Sequence, residues 1–80
     1  MERYIATFHT HLAALRTDRT LKALGVSSQM MPVPRRLSSS CGTCLCYDAQ
    51  TDHQADMDTD WETIYRLTGA ESYQLLHQND

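Results

Sequence analysis

Two periodicities alternate along the 80 residues. Arg3 to Phe8 (Arg-Tyr-Ile-Ala-Thr-Phe) is rich in β-branched and aromatic types and reads as a first strand. The chain then changes period. From about Thr10 to Leu24, Ala13, Ala14, Thr17, Leu21 and Leu24 fall on one side, while Arg16, Asp18, Arg19 and Lys22 fall mostly elsewhere. Because this stretch is also rich in Ala, Leu, Arg and Lys, it predicts an amphipathic helix. The Thr10 hydroxyl can cap its start, and Gly25 can take the left-handed conformation that ends it. Leu12 and Leu15 lie off the main stripe, where they widen the core face or touch a partner.

Ser28 to Val33 reads as a second strand, with Pro32 marking its end or an edge position because proline cannot donate a ladder hydrogen bond. Pro34 to Ser40 reads as a loop and Cys44 to Tyr47 as a short third strand. Asp48 to Asp60 is polar, carries Asp48, Asp52, Asp56, Asp58 and Asp60, and reads as a loop or a short, frayed helix. Trp61 to Leu67 predicts a fourth strand, broken by Gly69, with Trp61 and Tyr65 assigned to the core beside Ile64. Glu71 to His77 is expected as a short terminal helix, which at that length needs packing to persist. The expected fold class is α+β, a small ferredoxin-like β-α-β-β-(short α)-β sheet with one main helix packed on one face. Residues 1–80 read as a single domain, with the core over about 3–67 and a C-terminal tail or short helix over 68–80. One sheet face would then lack helical cover, so a homodimer through that face or its edge is expected.

Size and charge narrow the function classes. A domain this small buries only about 60% of the surface its unfolded chain exposes, which leaves little room for a deep, walled active site. Hydrophobic content of 41% and charged content of 21% fit a folded chain. A net charge of −3 argues against a general nucleic-acid binder, which carries a basic surplus. No apolar stretch approaches the roughly 20 residues that cross a bilayer, and Met1-Glu2-Arg3-Tyr4 does not open like a signal peptide, so no membrane partner and a cytoplasmic location are expected. The three cysteines make an odd number, which disfavours a secreted disulfide framework and favours reactive thiols or metal ligands.

The segment with chemical character is Pro32-Val33-Pro34-Arg35-Arg36-Leu37-Ser38-Ser39-Ser40-Cys41-Gly42-Thr43-Cys44. A thiolate is the nucleophilic form of cysteine, and nearby positive charge or hydrogen-bond donors favour it. Arg35 and Arg36 can supply charge, while Ser38, Ser39 and Ser40 can donate. Gly42 permits a tight turn and the close approach of a partner. Cys41 and Cys44 also form a C-x-x-C pair, a spacing used in dithiol exchange and chelation. The alternative metal reading takes Cys41, Cys44 and Cys46 with His9, His11 or His53 as soft ligands, although no second C-x-x-C or H-x-x-x-H pair accompanies them. Another reading leaves the thiols inert in an interaction domain. Cys44 and Cys46 alternate with Leu45 and Tyr47, so the two thiols share one strand face and look away from the core if Leu45 and Tyr47 look into it. The acidic run lacks the glycine and terminal glutamate of a calcium loop.

Tyr4-Ile5-Ala6-Thr7-Phe8-His9-Thr10, the Pro32-Val33-Pro34-Arg35 step, Ser38-Ser39-Ser40-Cys41-Gly42 and the late Ile64-Tyr65-Arg66-Leu67 together resemble the small bacterial selenium/sulfur carrier protein-like family. The likeness covers roughly residues 3 to 67, and its specific part runs from the proline-arginine step to the serine-cysteine-glycine loop. It implies a compact α+β domain carrying sulfur or selenium on Cys41, with no cofactor and with donor and acceptor proteins as partners. This is a carrier or accessory role rather than an enzymatic one. The acidic segment is short where the family usually has a full helix, and Cys44 and Cys46 are additional thiols; these departures leave open whether the second helix is intact and whether the extra thiols resolve a bound chalcogen or bind metal.

Overall fold

The computed structural model describes residues 1–79 and runs β1 (Glu2–Phe8), α1 (His11–Ala23), β2 (Ser27–Pro32), β3 (Thr43–Ala49), a single 3-10 turn (Gln54–Asp56), β4 (Trp61–Leu67) and β5 (Tyr73–Gln78). It is an α+β domain with one helix on a five-stranded sheet in the order β2-β3-β1-β4-β5, every neighbouring pair antiparallel. Because β1 and β2 both run against β3, α1 carries the chain over one intervening strand in a split crossover.

Local chemistry sets both ends of α1. The Thr10 hydroxyl accepts from the Ala13 amide at 3.1 Å, satisfying one of the amides a helix start leaves free. At the other end Gly25 sits at φ +81°, and the Val26 amide donates back to the Leu21 carbonyl at 2.9 Å. The buried face consists of Ala13, Ala14, Thr17, Asp18 and Leu21. Leu24 is not on it: as the C-cap, where the chain leaves the helical path, it is 55% exposed. Asp18 takes a buried place instead, its carboxylate accepting from Lys22 Nζ at 2.9 Å and from Ser28 Oγ at 2.8 Å, which ties α1 to β2.

The alternation of β1 divides the sheet into two faces. Tyr4, Ala6 and Phe8 join Leu45, Tyr47, Ala49 and Ile64 beneath α1, with Tyr4 stacked on its cross-strand partner Tyr47 at 5.4 Å. Phe8, Leu21, Leu45 and Ile64 are fully buried there, each worth about 1.5–3 kcal/mol of transfer free energy. On the opposite face the registers line up Cys44 with Thr7 and Thr63, and Cys46 with Ile5 and Tyr65.

Four expectations are corrected. Tyr73–Gln78 is a strand rather than the end of a helix, because the turn closed by the Thr68 amide on the Ser72 carbonyl lays it along β4. Pairing with β4 satisfies its backbone, whereas a helix that short gains little by itself. The sheet therefore has one strand more than the four-stranded ferredoxin-like arrangement, and the acidic segment forms one 3-10 turn where a second helix would stand. The third strand is also longer than Cys44 to Tyr47, since its neighbours β1 and β2 pair with it from Thr43 to Ala49. Finally, Trp61 and Tyr65 do not share the core. Thr7 pairs with Thr63 and Phe8 with Trp61, so Glu62 is an extra, bulged residue that puts Trp61 against the core and Tyr65 on the far face.

Candidate functional site

The segment between β2 and β3 folds back on itself. The Val33 amide donates to the Gly42 carbonyl at 3.1 Å, the Leu37 amide closes a turn on Pro34 at 3.0 Å, and Gly42 sits at φ +73°, a conformation glycine adopts without strain. The end of this loop lies against the junction of β1 and α1. There the Phe8 carbonyl accepts from Ser39 Oγ at 2.8 Å and from Cys41 Sγ at 3.2 Å. Cys41 Sγ also lies 3.4 Å from the Thr43 carbonyl and 3.9 Å from Ser39 Oγ.

A polar group flanks this contact. Ser40 Oγ donates to Glu62 Oε2 at 3.1 Å and lies 3.3 Å from His9 Nδ1, which is itself 3.6 Å from Glu62 Oε2. His11 Nδ1 lies 3.3 Å from Thr43 Oγ1. Glu62 Oε1 is buried with no hydrogen-bond partner among the described residues. Two histidines around the Thr10 cap thus meet the loop from one side, and the bulged Glu62 meets it from the other.

The three free thiols occupy distinct settings. Cys41 is half-buried at the loop end and touches the rim of the core. Cys44 is fully buried, its Sγ 3.7 Å from the Pro32 carbonyl, and burial, followed by the neighbouring Cys46 and Cys41, pushes its pKa up to about 12. Cys46 is half-buried, and burial raises its pKa against the opposing pull of the Arg3 guanidinium. The C-x-x-C pair is therefore split between a half-buried loop thiol and a sealed, protonated one. Thiol exchange proceeds through the thiolate, so the geometry favours Cys41 over Cys44 as the attacking group. Cys41, Cys44 and Cys46 do not assemble a ligand set: among the described residues no three His, Cys, Asp or Glu side chains are grouped to hold a metal ion. His53 instead pairs with Asp56 at 2.9 Å.

Arg35, Arg36 and Ser38 are exposed. Arg36 and Leu37 line a shallow concavity with Tyr65, Glu71, Ser72 and Tyr73, and among the described residues no hydrogen bond or ion pair joins either guanidinium to another side chain. Sequence reasoning missed Glu62 and the Phe8 carbonyl as members of the site. A glutamate within a strand pattern gives no sign that a bulge turns it toward a loop more than twenty positions away. His9 was visible only as a candidate ligand.

Residues 3–57 match the family described as "Putative Se/S carrier protein-like". The chain belongs to this family. The matched span of this Se/S carrier-like domain runs from β1 through the 3-10 turn, taking in the Cys41 loop and both histidines of the β1–α1 junction, and stops short of β4 with Glu62. It is also similar to an Escherichia coli (strain K12) protein named "Uncharacterized protein YtiA", 29% identical over 45 residues that make up 56% of this chain and 53% of that protein. The chain thus spans about half the length of this relative. No solved structure matches it.

Proposed function

We propose that the protein is a carrier that holds one sulfur or selenium atom on Cys41 and passes it between a donor protein and an acceptor protein. The observation that carries this reading is the position of Cys41: it is the one thiol on a loop, next to a glycine around which an added Cβ would meet nothing within 4 Å. That open space gives the loop room to turn Sγ outward toward a partner's sulfur. Arg35, Arg36 and Ser38 are exposed on the same loop and offer charge and a hydroxyl to a partner.

In loading, Cys41 Sγ attacks the outer sulfur of a donor persulfide. The bond between the donor's two sulfurs breaks, and the departing donor thiolate takes up the proton Cys41 has lost. The products are a Cys41 persulfide and a donor thiol, with no net oxidation. Release is the same exchange with an acceptor thiol as the attacking group, and a selenium atom follows the same course. Cys44, kept protonated, stays out of both steps.

Intact-protein mass spectrometry after exposure to glutathione persulfide tests the assignment. Wild-type and Cys44→Ala proteins are expected to gain the mass of one sulfur atom, and Cys41→Ala is not. Equal loading of Cys41→Ala and wild type would refute it.

A further inference from the structure

The loop that bears Cys41 is held down by a set of contacts that exceeds what a surface turn needs. Ser40 is exposed, yet its hydroxyl is engaged by both His9 and Glu62. Glu62 reaches it from the bulge in β4, and bulges re-aim side chains in this way. Glu62 also leaves Oε1 buried without a partner, a costly arrangement that its other oxygen's contacts with the loop offset. One residue further on, the Cys41 S–H is turned inward onto the Phe8 carbonyl, the same acceptor that holds Ser39. A sulfur in that position is occupied by the end of β1 and has to swing outward to meet a partner's sulfur.

We propose that Ser40, Glu62 and His9 are positioning residues for Cys41: they latch the Ser38–Gly42 loop with the thiol turned inward, and transfer proceeds from the fraction of molecules in which the latch is open. Gly42, at positive φ with free space around it, is the point about which the loop swings. A reaction that requires a minor conformation is slowed by the fraction of molecules that adopt it. The latch thus shields an empty or loaded Cys41 from small thiols, and a partner that competes for Ser40 or Glu62 releases it. The shielding of a loaded sulfur rests on the carrier reading. The latch itself does not.

Alkylation by iodoacetamide, followed at each cysteine by mass spectrometry, reads the latch directly. Losing one such hydrogen bond is expected to raise the open fraction roughly five- to tenfold. Ser40→Ala and Glu62→Ala should therefore speed labelling of Cys41 by about that factor while Cys44 stays slow, and Ser40→Thr, which keeps the hydroxyl, should restore the wild-type rate. Loss of sulfur from persulfide-loaded Cys41 to glutathione should accelerate in parallel. Unchanged or slower labelling of Cys41 in both variants would overturn the latch, as would Cys44 gaining in step with Cys41 in both. If alkylation follows the expected pattern but no variant takes up persulfide, the carrier reading fails and the latch stands.

Discussion

Cys44 and Asp18 are two small polar side chains handled by burial in opposite ways. Cys44 loses its solvent and stays a thiol, with its pKa raised from the ordinary 9.0 to about 12. Below about pH 9 both folded and unfolded chains keep this proton and the full stability is present. Above it the unfolded chain sheds the proton first, so stability should fall with a slope of up to about 1.4 kcal/mol per pH unit, lost through the folded pKa. Tyr47, also raised by burial, joins only from its ordinary 10.0 upward, so the interval between about pH 9 and 10 isolates the cysteines. Urea unfolding across that interval should show the slope in wild type and a shallower one in Cys44→Ala. Equal slopes would mean that the thiol is not sealed. Asp18 remains useful inside because Lys22 and Ser28 meet its two oxygens. Asp18→Ala should cost about 1–3 kcal/mol, measured by thermal denaturation, since it strands the Ser28 hydroxyl and unties α1 from β2. The helical period alone put Asp18 on the polar side, because its partner lies on a strand whose placement period does not specify.

At the level of elements, what could be read from the chain was what local chemistry decides. Thr10 and Gly25 bracket α1 because a hydroxyl and a positive φ act on their own immediate backbone. The β-branched and aromatic run of β1 was legible as a strand, and as the central strand of the sheet it is buried continuously from Tyr4 to Phe8. β5 was not legible. Tyr-Gln-Leu-Leu-His-Gln suits a helix as well as a strand, and the choice is made by the open edge of β4 and by contacts formed only after folding. Leu76 packs on the core, and His77 Nε2 lies 2.8 Å from Asp52 Oδ2, beside the carbonyl to which Tyr47 donates. Truncation after Leu67 removes all of these. It should lower the melting temperature by several degrees at least and expose an unpaired β4 edge to aggregation. A melting temperature equal to that of the full chain would contradict the strand assignment.

Across the whole molecule, the split crossover brings the chemistry together. It places the end of β1, the start of α1, the loop before β3 and the bulge of β4 at one corner, although these pieces lie far apart along the chain. The Ser-Cys-Gly run was legible in the sequence because its residue types are concentrated in one loop. Glu62 was not, since only sheet register delivers it there. The difference between the thiols was likewise invisible, because Cys41 and Cys44 differ in burial rather than in type. The proposed carrier role rests on Cys41 alone. Its most direct test is a round trip in a chain whose only thiol is Cys41, made by Cys44→Ala and Cys46→Ala. Loaded with glutathione persulfide, desalted and then offered a thiol acceptor, this chain should gain one sulfur and give it up, as followed by intact mass. Failure of that chain to load, while Cys41→Ala loads normally, would move the chemistry to another thiol and contradict the account.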